Sequence, residues 1–220
     1  MDETEAIFRA VAAGDLDVVK RILADAPALA RARGASSLSV LQFARYAEQT
    51  AILEELVAAG PALDIFEAAM IDRAERVRAL LDAEPAQAAA YSSYGFTALH
   101  FAAYFGALSA MAALIDGGAS MEAVTTNFLT NMPIHAAGAG GRRPACALLV
   151  ERGANVNARQ HGGFTALHTA AFRDNRPMAV LFLEAGAEAS ARNDEGKTAA
   201  QVADSMGNME IAAFIRAREA

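Results

Sequence analysis

Three six-residue segments recur along this chain of 220 residues at nearly constant spacing, and that recurrence constrains the fold more than any single motif. They are Thr97-Ala98-Leu99-His100-Phe101-Ala102, Met132-Pro133-Ile134-His135-Ala136-Ala137 and Thr165-Ala166-Leu167-His168-Thr169-Ala170; a fainter copy, Thr198-Ala199-Ala200-Gln201-Val202-Ala203, follows at offsets of 35, 33 and 33. Each copy is trailed by a second apolar run, such as Ala147-Leu148-Leu149-Val150 or Val180-Leu181-Phe182-Leu183. Turn signals of the kind that end helices, Gly117-Gly118-Ala119, Gly153-Ala154-Asn155 and Gly186-Ala187-Glu188, close three of the four. A period in this range marks a repeat architecture whose unit cannot bury its own apolar face, so neighbours must stack.

The pattern continues toward the N-terminus with a decayed signature. Aligned on Ile7, Leu41, Phe66, Leu99, Ile134, Leu167 and Ala200, the seven copies step by 34, 25, 33, 35, 33 and 33 residues. The step of 25 makes the connector at Gly60-Pro61-Ala62-Leu63 about eight residues short, and a missing long turn is expected there. Composition now acquires a cause. Alanine supplies 56 residues, nearly half of the 54% hydrophobic content, and there is no Trp. Pairs such as Ala102 and Ala103, Ala136 and Ala137, or Ala170 and Ala171 let stacked helices approach closely, and thin shared layers replace a thick core. Pro144 and Pro177 fall in the first turn of second helices, where a missing N–H does no harm.

A 33-residue period with a T-P-L-H-x-A-like start resembles the ankyrin repeat. The resemblance is densest over residues 95–196, in Gly95-Phe96-Thr97-Ala98-Leu99-His100, Gly153-Ala154-Asn155-Val156-Asn157-Ala158 and Gly163-Phe164-Thr165-Ala166-Leu167-His168, and extends over residues 5–218. It implies an all-α solenoid forming a single domain, 1–220, of about seven helix-turn-helix repeats joined by hairpin-like turns: 5–34 as N-terminal cap, 35–60, 61–94, 95–129, 130–161, 162–194, and 195–220 as C-terminal cap. It also implies protein recognition without catalysis, on a concave face built from the connecting turns and the outward positions late in each first helix. The chain departs from the pattern at Asp174, which replaces the mid-repeat Gly held by Gly106 and Gly141, and in its first three copies, which lack the His.

Residues able to do chemistry are few. His100, His135 and His168 occupy equivalent places in successive repeats, so their backbones stand roughly 8 to 10 Å apart. One metal ion needs its nitrogens within about 2.1 Å, and local hydrogen bonding is the expected role. His161, before Gly162-Gly163, is expected at the surface. Cys146, the sole cysteine, is expected to be a buried small hydrophobe with no base arranged beside it. Gly138-Ala139-Gly140-Gly141 lacks the Lys-Ser/Thr of a phosphate loop and reads as the end of a first helix. Glu54-Glu55 and Asp194-Glu195 read as solvated charge. No cofactor, metal or enzymatic activity is expected.

Net charge of −7 argues against a nucleic-acid partner, which would need clustered Lys and Arg. Residues 85–115 carry no charge, yet Ser92, Ser93, Gly95 and Gly106 interrupt them, so no membrane span is expected. A lone cysteine and an acidic N-terminal stretch without a signal pattern point to the cytoplasm. Oligomeric state stays open, with a monomer compatible. Charge is sorted along the chain: residues 79–141 contain no Lys or Arg, and Arg142, Arg143, Arg152, Arg159, Arg173, Arg176 and Arg192 follow. Aromatics are sorted too. Tyr46, Tyr91, Tyr94 and Tyr104 fall at turns or late first-helix positions, Phe96, Phe105, Phe164 and Phe172 at equivalent ones, and a two-residue insertion after Ala123 carries Phe128 and Leu129. Aromatic anchors dominate interface energetics. Tyr46, Tyr94, Phe96, Tyr104, Phe105, Phe128, Phe164 and Phe172 are therefore expected to bind a protein partner, with Arg142, Arg143, Arg159 and Arg173 at the rim. The alternative is a small-ligand or enzymatic protein that uses the same groove as a pocket.

Overall fold

The computed structural model describes residues 3–35, 37–60 and 62–219. Among them run fourteen α-helices in seven antiparallel pairs: α1 (Glu3–Ala13) with α2 (Leu16–Asp25), α3 (Val40–Tyr46) with α4 (Thr50–Ala58), α5 (Ile65–Met70) with α6 (Ala74–Ala83), α7 (Ala98–Phe105) with α8 (Leu108–Asp116), α9 (Pro133–Ala139) with α10 (Arg143–Glu151), α11 (Ala166–Phe172) with α12 (Arg176–Glu184), and α13 (Ala199–Met206) with α14 (Met209–Arg216). Each odd-numbered helix packs on the next odd-numbered one, which builds a first-helix layer. Behind it α2 packs on α4, α6 on α8, α8 on α10 and α10 on α12. The described residues hold no β-strand, only isolated bridges at the turns, Arg33 with Ser39, Tyr91 with Thr97 and Arg192 with Thr198.

Local chemistry starts and stops each helix where the period requires. Ser39, Asp64 and Thr198 each accept the N–H of the residue three positions on, and Gln42, Glu67 and Gln201 return the bond to the cap's own N–H, which satisfies donors that a helix start leaves open. Pro133, Pro144 and Pro177 sit in first turns. The chain reverses within every pair through one residue of positive φ: Gly14, Glu48, Asp72, Gly106, Gly141, Asp174 and Gly207. Asp174 thus takes the left-handed conformation of the Gly it replaces, at φ 52°, at a steric cost that Gly does not bear.

Alanine makes the close packing possible. Ala68, Ala69, Ala102, Ala103, Ala137, Ala170 and Ala171 are fully buried in the first-helix layer. At Gly140 even one methyl is too much, since a Cβ there would collide with the Tyr104 carbonyl oxygen of the preceding repeat.

The short connector changes the stacking. Only residues 59–64 separate α4 from α5, without the bridge or 3₁₀ turn that precedes α3 and α7, and Pro61 lies outside the described residues. Arg33 splints the gap by donating to Asp64 Oδ2 at 2.9 Å. Between α4 and the turns at residues 71–73 and 106–107 an open depression of about 280 Å³ remains. The core divides near the same joint: one cluster gathers Ile7, Val11, Val19, Leu23, Ile52 and Leu56, and a longer one runs from Leu63 to Ile215, reached from the second repeat by Leu41, Leu53 and Val57.

Candidate functional site

The joint also shapes the first-helix face. From Asp64, the cap of α5, to left-handed Asp72 is eight positions; from Thr97 to Gly106, and from Ser39 to Glu48, it is nine. The first helix of the third repeat is therefore one residue short at its end, and the second repeat meets the fourth across it. Arg45 donates from Nε to the Met70 carbonyl at 3.1 Å and from an η nitrogen to the Phe105 carbonyl at 3.3 Å, with its guanidinium 4.5 Å from the centre of the Phe105 ring. The Phe105 ring stands edge-on to Tyr46 at 5.2 Å and to Tyr104 at 5.1 Å. The two half-exposed tyrosines wall an apolar pocket of about 240 Å³, completed by Phe96, Phe101 and Leu129 over a floor of His100 and Asn131. Burial, with the Tyr104 and Tyr94 phenols nearby, pushes the Tyr46 hydroxyl up to about 12, so it stays a neutral donor.

The expected site residues do not all behave alike. Phe105, expected as an exposed anchor, is only 8% exposed. With Phe101 and Met70 it forms a small satellite core on this face, and its part is to support the two tyrosines. Phe96 is half-buried and leans on Phe101 at 5.6 Å. Phe128 is the most exposed large apolar residue, at 76%, on the inserted turn. That turn is tied down by the Thr126 N–H donating to the Gly95 carbonyl, Asn127 Nδ2 to the Tyr94 carbonyl and the His161 N–H to the Leu129 carbonyl, and the Phe128 ring meets exposed His161 at 6.2 Å. Tyr94 lies exposed on the adjoining turn. Phe172 is 54% exposed on α11, and Phe164 is half-buried against His168, so both lie two repeats farther along and outside the pocket. Arg142 and Arg173 come beside it, Arg143 is exposed at the start of α10, and Arg159 is held by Asp194 and the Arg192 carbonyl as a staple between turns. Sequence reasoning missed Arg45, whose reach across a whole repeat follows from the shortened α5. The one available signal was the cap-to-turn spacing of Asp64 and Asp72.

Comparison with known proteins matches this geometry. A model described as "Ankyrin repeats (3 copies)" covers residues 65–160 and one described as "Ankyrin repeats (many copies)" covers 149–203, together more than half of the chain. The chain belongs to the ankyrin-repeat family. A human relative, ankyrin repeat domain-containing protein 53, is 31% identical over 159 residues, 69% of this chain. That span is 29% of the relative, so the chain matches less than a third of its length. Ankyrin repeats generally mediate protein–protein interaction.

The ankyrin-repeat histidines serve the architecture. In His100, His135 and His168, Nδ1 accepts the N–H of Thr97, Met132 and Thr165, and Nε2 faces the carbonyl of Asn131, Ala158 and Lys197, in the segment leading into the next first helix, at 2.9 to 3.1 Å. A carbonyl only accepts, so Nε2 carries the proton and each ring is neutral. Burial holds His100 and His135 down to about 4 and lowers His168 as well. With both nitrogens engaged, the His100 ring under the pocket has no lone pair to offer a substrate. Cys146 is fully buried, and burial pushes its thiol up to about 12, far from a thiolate nucleophile. No group of three metal-ligating side chains occurs among the described residues, and no described helix is long and apolar enough to cross a membrane.

Proposed function

We propose that this chain is a non-catalytic recognition module that takes a protein partner on its first-helix face, with the pocket between Tyr46 and Tyr104 as the anchoring point and Tyr94, Phe96 and Phe128 around it. The observation that carries the reading is the pocket itself: two half-exposed tyrosines held by a buried Phe105 around an apolar hollow. Rigid aromatic walls around an apolar hollow are the composition of interface hot spots. A volume of about 240 Å³ lies below the 300 to 1,000 Å³ of small-molecule sites, and suits a single inserted side chain better than a metabolite. Phe164, Phe172 and Arg143 then extend the contact along the later repeats. A role as adaptor or as inhibitory subunit fits such a surface, and the cytoplasm fits a chain whose single thiol is unpaired.

Affinity capture with the wild-type chain beside Tyr46→Ser/Tyr104→Ser tests the reading. Each ring lost from a hot spot is expected to cost about 2 kcal/mol, roughly thirtyfold in affinity. An identical set and yield of captured proteins from the double variant, with its helical signal intact, overturns the assignment.

A further inference from the structure

Directly beside the aromatic pocket lies a second depression of about 220 Å³, polar where the first is apolar. The two share Tyr46, Tyr104 and Ala139 as walls, so they stand about one tyrosine ring apart. Three guanidiniums line the second, Arg45 from the second repeat, Arg142 from the fifth and Arg173 from the sixth, against one carboxylate, Glu48. Arg142 donates to the Tyr104 carbonyl at 3.3 Å, and the Arg173 guanidinium lies over the turn at Gly141. Among the described residues none of these three arginines has a carboxylate within ion-pair distance, whereas Arg33, Arg152, Arg159 and Arg216 all do. Burial and, after it, the Arg142 charge lower the Arg45 pKa, with the Glu48 carboxylate opposing them, as expected where cations outnumber their counter-ion.

We propose that the partner presents an acidic peptide segment, a bulky apolar side chain entering the Tyr46–Tyr104 pocket and a carboxylate one to three residues away lying among Arg45, Arg142 and Arg173. The inference rests on the recognition reading above and narrows it to a chemical class. Guanidinium forks match a carboxylate in geometry and charge, and a net excess of two positive charges in a concavity raises the local concentration of anions. The shared tyrosine walls set the spacing: both groups of the peptide must be close in sequence to reach two hollows one ring apart. Between the two hollows and the inserted turn no further cation intervenes in sequence, since residues 79–141 contain neither Lys nor Arg.

The test is a random dodecapeptide phage library panned on the full chain, on Arg173→Glu and on Tyr46→Ser/Tyr104→Ser, all three positions being exposed and each variant checked for helical content. The wild type is expected to enrich a bulky apolar residue with Asp or Glu within three positions. A synthetic peptide of that sequence should lose about tenfold in affinity on Arg173→Glu or when its acids become Gln, and a Lys in place of the acid should recover binding to Arg173→Glu. Enrichment of apolar residues indifferent to acid, or unchanged affinity on Arg173→Glu, overturns this inference and leaves the recognition reading standing. Peptides that bind Tyr46→Ser/Tyr104→Ser as tightly as wild type, or no enrichment at all, overturn both. Binding of 3-phenylpropionate alone as tight as that of the peptide overturns the peptide in favour of a small carboxylate ligand.

Discussion

The stacked histidines make the array sensitive to mild acid. In the folded chain His100 and His135 stay neutral down to about 4, because burial opposes a second proton and outweighs the carbonyl acceptors on Nε2, which favour it. In the unfolded chain each takes up a proton below about 6.5. The folded value is the lower one, so the contribution to stability is complete above 6.5 and is lost as the pH falls from 6.5 toward 4. At pH 5 the unfolded state has gained 1.5 units per ring, which at about 1.4 kcal/mol per unit removes about 2 kcal/mol for each histidine and about 4 for the two. That is a large part of the 5 to 15 kcal/mol of a typical domain. The chain supplies its own control residue, since Gln42 and Gln201 fill the equivalent place and cap Ser39 and Thr198 at 2.9 Å. His100→Gln/His135→Gln should keep the cap but forgo the Nε2 bonds, at about 1 to 2 kcal/mol each at pH 7.5, and should lose little more by pH 5. Urea titrations followed by circular dichroism at pH 7.5 and 5.0 measure both chains, whose shared carboxylates cancel in the difference. Wild-type and variant stabilities should converge near pH 5. A constant gap between them across that window refutes the argument.

Other substitutions probe the packing. Asp174→Gly relieves an exposed left-handed aspartate and should raise stability by about 0.5 to 1 kcal/mol in the same titration; Asp72→Gly should not, because Asp72 Oδ1 accepts the Ala110 N–H at 2.7 Å. Gly140→Ala forces a methyl into the Tyr104 carbonyl and should cost about 1 to 3 kcal/mol while prising open the wall between the two hollows, seen as a new Tyr104 environment by NMR. Cys146 should resist iodoacetamide in the native chain and react in urea, since its sulfur is fully buried; rapid native labelling would contradict the packing of α10.

The number of helix pairs, the missing turn before Asp64, the helix ends at Gly106, Gly141 and Asp174 and the burial of Cys146 were legible in the sequence, because each derives from a period of 33 and from local cap and turn chemistry. Features set by contact between repeats were not legible. Phe105 and Tyr104 are neighbours in sequence at the end of one helix, and nothing local says that one turns inward on Met70 while the other stays out. That choice depends on Arg45, sixty residues away, capping the Phe105 carbonyl, and on α5 ending early enough to let it through. Arg159 looked like a rim cation for the same reason: its partner Asp194 belongs to the next turn, one full repeat later.

The divided core gives the pocket a second consequence. Tyr46 belongs to the N-terminal pair of repeats and Tyr104 to the longer body, with the sparsely packed joint between them. Anything that grips both rings therefore acts as a clasp across that joint. A ligand at a hundred times its dissociation constant would hold the first two repeats in place by about 2.7 kcal/mol beyond their own contacts. On the recognition reading, occupancy of this small hollow would therefore couple the first two repeats to the rest of the array.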